Sequence, residues 1–188
     1  MKLVKTDNSY FEDKVIMRLK HLPEVEKIRV LDAFGGEGRV WNKVRELSGR
    51  NIQTMRIDRK ADRKGTYLKG DNIKYLASMD FSKFDVIDLD AYGVPFEQLE
   101  YLFKAARENK ISAYVFVTFI QTAYGRLPYS LLRALGYSDA MFKKIPSLFN
   151  KDGFVKFQKY LSYQGLTEIY VRSKGGKYYI FFKIENSQ

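Results

Sequence analysis

The chain has 188 residues, a length that suits one domain with a full core. Its 33 Lys and Arg outnumber 22 Asp and Glu for a formal charge of +11, which points to a polyanionic partner, nucleic acid before an anionic membrane surface. With no Cys and one His, His21, thiolate zinc clusters, cysteine nucleophiles and histidine-rich metal sites are excluded, and a Ser-His-Asp triad has only that imidazole to draw on.

The amino-terminal "MKLVKTDNSYFEDK" lacks the apolar stretch of a signal peptide, and the most apolar run, "AYVFVTFI", is too short to cross a bilayer. A soluble, cytoplasmic protein is expected. Residues 9–22 place Phe11, Val15, Ile16 and Leu19 at helical spacing behind Ser9 as N-cap, an amphipathic lead-in helix with His21 on its surface. "IRVLDAF" (28–34) reads as a buried strand, and "EGRVWNKVREL" (37–47) as a helix turning Val40, Val44 and Leu47 inward until Gly49. Strands follow at 52–58 and 66–71, a short helix at 72–79, a buried strand at 84–90, a helix opened by Pro95, and a strand at 111–119. Strand and helix in alternation predict a parallel sheet.

The last third differs. Pro128 opens a helix closed by Gly136, and residues 137–163 mix Lys with Phe and Tyr in what reads as two helical pieces broken at Pro146. That segment is either a solvated amphipathic pair or a groove for RNA or DNA. "LTEIYVRS" and "KYYIFFKI" then flank "KGG" as an antiparallel hairpin.

Chemistry concentrates at the strand ends. "VLDAFGGEGRVW" has the form Asp-x-Phe-x-Gly-x-Gly at Asp32, Phe34, Gly36 and Gly38, where glycines let backbone approach a ligand and the following helix offers N–H donors. The dinucleotide fingerprint would need a third glycine at Trp41, where close helix–sheet packing leaves no room for an indole. Asp32 would repel a pyrophosphate and attract an ammonium. Asp58 ends the second strand, where a Rossmann-like unit presents an acid to ribose hydroxyls, with Arg59 beside it facing ribose or adenine. Asp71 and the amides of Asn72 and Ile73 stand where an adenine edge would lie. Finally "DVIDLDAYGVP" puts Asp88 and Asp90 at the end of the fourth strand, with Asp85 at its surface-facing start.

This order of strand-end acids resembles the class I S-adenosylmethionine-dependent methyltransferases over residues 28–184. The resemblance implies an α/β, Rossmann-like, doubly wound and mostly parallel seven-stranded sheet with an antiparallel C-terminal hairpin, a single methyltransferase domain, and S-adenosylmethionine as cofactor. "FDVIDLDAYGVPFEQL" is similar to the fourth motif of the tRNA guanine-N2 dimethyltransferases at Asp88, Leu89, Asp90, Gly93 and Pro95, and departs from it at Ala91, Tyr92 and Val94. It implies methylation of an exocyclic amino group of a nucleic-acid base, RNA before DNA, with no metal. An exocyclic nitrogen is a poor nucleophile, so Asp90 would accept from it and offset its growing positive charge, Tyr92 would stack on the base, and Asp88 would organise the turn or the cofactor's methionine end. The family carries a further C-terminal domain for which this chain has no room. Alternatives are a DNA amino-methyltransferase, a small-molecule or protein amine methyltransferase, and an inactive cofactor- or RNA-binding module.

Overall fold

The computed structural model describes residues 10–60, 65–109, 111–121 and 126–185. Seven strands form one sheet: β1 (Lys27–Asp32), β2 (Asn51–Asp58), β3 (Leu68–Lys69), β4 (Val86–Leu89), β5 (Ala113–Ile120), β6 (Ile169–Lys174) and β7 (Lys177–Ile184). Their order is β3-β2-β1-β4-β5-β7-β6. β1 to β5 pair in parallel, while β7 runs antiparallel to both β5 and β6. The order reverses between β1 and β4, which opens a crevice at their carboxyl ends.

Period-two alternation sorts the core into two layers. Ile28, Val30, Val86, Phe116, Tyr179 and Phe181 point to one face, against Val15 and Met17 of α1 (Phe11–Lys20) and Trp41 and Val44 of α2 (Arg39–Ser48). Leu31, Ile87, Leu89, Val115, Val117, Ile180 and Phe182 point to the other. There they meet α3 (Asn72–Leu76), α4 (Phe96–Asn109), α5 (Tyr129–Ala134) and α8 (Gly153–Tyr163). α8 shows why its residues choose a helix: Phe157, Tyr160 and Leu161 at i, i+3, i+4 are all fully buried, each burial contributing roughly 1.5–3 kcal/mol. α6 (Asp139–Lys144) and α7 (Pro146–Asn150) bridge α5 to α8. The segment expected to break once, at Pro146, breaks again at Asp152, whose left-handed backbone (φ 52°) starts α8.

Two helices are rotated from their expected phase. Ile16 is 51% exposed and Leu47 55% exposed, while Arg18 and Trp41 are buried in their stead. A polar contact sets both phases, because Arg18 and Trp41 converge on Asp88. The indole that stands where the dinucleotide fingerprint would need a glycine is buried edge-on to Phe116 at 6.1 Å. His21, expected on the surface, caps α1 and stacks on Phe181 at 4.1 Å; burial and the neighbouring Lys20 and Lys183 lower its pKa. Ser9 lies outside the described residues, and Tyr10 holds the N-cap position of α1.

Candidate active site

The glycine loop is stitched to both neighbours of β1. Ala33 N–H donates to the Asp88 carbonyl at 3.0 Å and Gly35 N–H to the Ile57 carbonyl at 3.0 Å. Arg56 runs beneath it, donating to the carbonyls of Gly36 and Thr66 at 3.2 Å each. This gives the glycines different reasons to be there. A Cβ on Gly35 would lie 2.6 Å from Arg56 Cβ, so packing demands that glycine, whereas at Gly38 the left-handed backbone (φ +71°) demands it, the Arg56 side chain lying 3.0 Å from where a Cβ would be. At Gly36, with φ +46°, a Cβ would meet only the Phe34 carbonyl at 3.9 Å and Asp58 Oδ2 at 4.0 Å. Gly36 thus brings backbone without a side chain up to the Asp58 carboxylate. Gly35 and Arg56 escaped the sequence reading; the unbroken Gly35-Gly36 pair was the available signal.

Asp32, Asp88 and Asp90 come together at the ends of β1 and β4, and their partners differ. Asp88 is 1% exposed. Its Oδ1 accepts from Arg18 Nη2 and its Oδ2 from Arg18 Nε, both at 2.7 Å, and Oδ2 also takes Trp41 Nε1–H at 2.7 Å. Burial alone would lower the Arg18 pKa, but Asp88 holds it above the ordinary value. Both oxygens of Asp88 are thereby turned to α1 and α2, so the turn it organises is the junction of two helices with the sheet. Asp90 sits one residue past β4, accepting Lys14 Nζ on Oδ2 at 2.7 Å and Thr118 Oγ1–H on Oδ1 at 2.6 Å. Burial pushes its carboxyl up, yet Lys14 and Arg18 outweigh that and hold it below the usual range. Asp32 is 6% exposed and accepts the Phe34 amide at 3.2 Å. Burial, with Asp88 and Asp90 close by, raises its pKa well above the carboxylate norm. Lys14 and Arg18, which sequence offered only as a second-choice nucleic-acid contact with Lys20, and Thr118 were not foreseen at these carboxylates; the i, i+4 spacing of Lys14 and Arg18 puts them on one helix face.

Tyr92 stands 71% exposed on the turn after β4, without a ring partner among the described residues. Gly93, φ +133°, passes its carbonyl to the Ile120 amide at 2.8 Å and so holds that turn against β5.

The other flank is organised by short local bonds. Asp58 ends β2 and accepts the Lys60 amide at 2.7 Å. Asp71, expected to end a strand, instead N-caps α3: it takes the Ile73 amide at 3.1 Å and Arg59 Nη2 at 2.6 Å. The Arg59 bond foremost lowers its pKa. Arg59 is therefore paired to Asp71, and the Ile73 amide expected to face adenine is committed to the cap. Asn72 is buried, donating to the Ala33 carbonyl at 2.9 Å and accepting from Gln98 at 3.1 Å, which ties α3 to the glycine loop. Of the loop 58–65, residues 61–64 lie outside the described residues.

In the basic segment 137–163 four aromatics turn inward, Phe142, Phe149, Phe157 and Tyr160 being 8% exposed or less, while Tyr163 is exposed with Lys159 over its ring at 5.5 Å. Solvent meets Lys143, Lys144 and Lys151, with Met141, Ile145 and Leu148 between them. Spacings of seven (Phe142, Phe149) and three (Phe157, Tyr160) were the signal that these rings are core. The segment is latched by Gln121, just past the end of β5, which donates to the Asn150 carbonyl at 2.6 Å, and by the Leu127 amide ahead of α5, which donates to Asn150 Oδ1 at 2.8 Å.

The same chain path recurs in solved structures. A SAM-dependent methyltransferase from Archaeoglobus fulgidus matches with TM-score 0.52 and 18% identity, over 92% of this chain and 94% of that one. One from Aquifex aeolicus matches with TM-score 0.52 and 17% identity, over 96% of this chain and 100% of that one. The fold is that of the class I methyltransferases. A possible exported protein from Bordetella parapertussis shares this methyltransferase fold with TM-score 0.60 and 9% identity, over 94% of this chain and 67% of its own. No protein-family profile matches the sequence, and no curated protein does. Among the described residues, no helix of the methyltransferase fold here is long and apolar enough to cross a membrane.

Proposed function

We propose that the chain methylates an exocyclic amino group of a nucleic-acid base, RNA before DNA, using S-adenosylmethionine. The observation that carries this reading is the convergence of a cation-seeking carboxylate, Asp32, with an ionised one, Asp90, across the switch point of the sheet. The residues fit the cofactor. Asp32 is buried among like charges with its pKa raised, so an ammonium would relieve it; Gly36 has no side chain to stand between ribose hydroxyls and the Asp58 carboxylate. When bound, the cofactor supplies a methyl group on a sulfonium, an electrophile that needs no activation.

The protein's own task is then to activate the nitrogen. Lys14 and Arg18 hold Asp90 ionised in the free protein; with Arg18 still beside it, Asp90 would accept from the amino group and offset the positive charge that grows as the methyl passes from sulfur to nitrogen. Exposed Tyr92 lies two residues on, placed to stack on a base brought from a single strand, a loop or a flipped position. Asp88 acts through Arg18 and Trp41, setting α1 and α2 against the site, and is a positioning residue. The resemblance of Asp88-Leu89-Asp90 to the guanine-N2 motif supports an amino acceptor, and the charge of +11 supports a polyanion.

A second reading, transfer to an aliphatic amine of a protein or small molecule, is favoured by one observation: an ammonium, that of Lys14, does sit on Asp90. Incubation with isotope-labelled cofactor and total RNA or DNA, followed by mass spectrometry of the nucleosides, separates the two. Label on an amino-methylated nucleoside supports the first; label confined to protein or small amines overturns it.

A further inference from the structure

Lys14 holds the Asp90 oxygen that faces the rim, the side from which an acceptor would come. Asp90 Oδ1 is engaged by Thr118 from β5 at 2.6 Å, and Oδ2 by the Lys14 ammonium at 2.7 Å. The two contacts differ in permanence. Thr118 is a buried β-strand residue, 1% exposed, whose stiff side chain has little freedom. Lys14 reaches in from the rim, with side-chain exposures of 19% for the lysine and 16% for the aspartate, on a stem with four rotatable bonds.

We propose that Lys14 is a displaceable plug: its ammonium occupies the place of the acceptor's amino group, and a phosphate of the docked nucleic acid draws it away to free Asp90. The inference rests on the methyl-transfer reading above and names how that site would select its substrate.

Three features make the helix able to lose this contact without moving. Arg18, one turn on, is locked to Asp88 and lies against Phe116 at 5.3 Å, and its Nη1 donates to the Lys14 carbonyl at 3.0 Å. Asp13, one residue before, is held by Arg172 at 2.5 Å and Lys174 at 3.1 Å from β6. The backbone of Lys14 is thus pinned on both sides, and only its side chain needs to turn. Charge explains why release would help the reaction. The groups facing Asp90 are Lys14 and Arg18 from α1, Asp32 from β1, Asp88 from β4 and the Thr118 hydroxyl from β5. With Lys14 gone, Arg18 is the cation that remains beside Asp90 and its guanidinium is already bonded to Asp88, so the Asp90 carboxylate is left less neutralised just where positive charge develops on the acceptor nitrogen. A free nucleoside brings no phosphate and has to compete with the ammonium unaided. A strand brings the competing anion with it.

The test uses the full chain labelled in lysine Nζ and aspartate carboxyl positions, followed by NMR. The probes are a mixed-sequence ribo-oligonucleotide, inorganic phosphate and guanosine. In the free protein Asp90 should titrate below the ordinary carboxylate range, in Lys14→Met above its wild-type midpoint, and in Lys14→Arg as in the wild type. The oligonucleotide should shift the Lys14 ammonium signal and move the wild-type Asp90 midpoint up toward that of Lys14→Met, while leaving Lys14→Met itself unchanged. Phosphate alone should do so partially, in proportion to its concentration, and guanosine not at all. An oligonucleotide that fails to bind, or binds without moving either signal, overturns the proposal and leaves Lys14 as a fixed structural ion pair. Calorimetry with S-adenosylmethionine on the same sample keeps the two failures apart: absence of cofactor binding sinks the methyl-transfer reading, whatever Lys14 does.

Discussion

Arg18 and Asp88, 70 residues apart in sequence, meet as a two-pronged ion pair at 2.7 Å with side-chain exposures of 2% and 1%. A pair this deep fixes α1 on the sheet, and its loss leaves a buried charge. Arg18→Met should destabilise the protein by roughly 3–5 kcal/mol in denaturant unfolding, the usual result of stranding one partner. Arg18→Met combined with Asp88→Leu should recover part of that loss, the remainder being the buried Trp41 Nε1–H that Asp88 no longer accepts. A single variant as stable as the wild type would remove the pair from the account of the fold.

Asp32 should oppose stability and serve binding. Its folded pKa is raised, so the favourable state is the protonated one: its contribution is fully present below the unfolded value and is lost as pH rises through the folded value. Asp32→Asn should therefore stabilise the cofactor-free protein at neutral pH by about 0.5–2 kcal/mol. The advantage should vanish at low pH, where wild-type Asp32 is itself protonated. The same variant should weaken S-adenosylmethionine binding by about 1.5–3 kcal/mol, through loss of a charged partner for the ammonium. Melting curves across pH and calorimetry read the two effects independently.

The glycines of the loop should separate in the same way. Gly35→Ala drives a Cβ into Arg56 Cβ at 2.6 Å and should lower the melting temperature sharply. Gly36→Val puts a side chain up to the Asp58 carboxylate and should abolish cofactor binding, with a strain penalty of roughly 1–2 kcal/mol for its positive φ. Asp58→Ala should reduce cofactor affinity by about 2–4 kcal/mol with the fold intact. Calorimetry that returns unchanged affinity for Asp58→Ala removes it from the ribose-binding role.

Nucleic-acid binding should depend on the exposed lysines between α6 and α8. Replacing Lys143, Lys144 and Lys151 with Ala should lower the slope of log affinity against log salt by about 2–3, if each neutralises a phosphate. Lys156 is a poorer choice, because its ammonium is bonded to the Lys151 carbonyl. An unchanged slope would move the contact to another face.

Much of this was readable from the residues alone, for physical reasons that also mark where reading stops. The parallel sheet follows from apolar runs alternating with helical periods, and each strand end then delivers its acid to one edge. Asp90 and Asp32 were visible because they close such runs. The partners were not, since Arg18 and Lys14 belong to a helix whose rotation is decided by contacts with β4, not by its own apolar stripe. Ile16 and Leu47 lost their expected burial to Arg18 and Trp41 for that reason. Asp71 was misplaced because a two-residue β3 ends before it, and its carboxylate found the α3 amides first. In the Lys-aromatic segment the spacing marks Phe142, Phe149, Phe157 and Tyr160 as core, while composition alone leaves its exposed face open between a solvated helix pair and a nucleic-acid groove.

The most direct test of the central claim is single-turnover methyl transfer to a nucleic-acid acceptor by wild type and Asp90→Asn, measured beside equilibrium cofactor binding. The account predicts a rate lower by about 10²–10³ in Asp90→Asn, since one preorganised charge facing the transition state is lost, with cofactor affinity nearly unchanged. Asp90→Asn turning over at the wild-type rate would contradict it, as would a wild type that binds the cofactor and transfers no methyl group to any base.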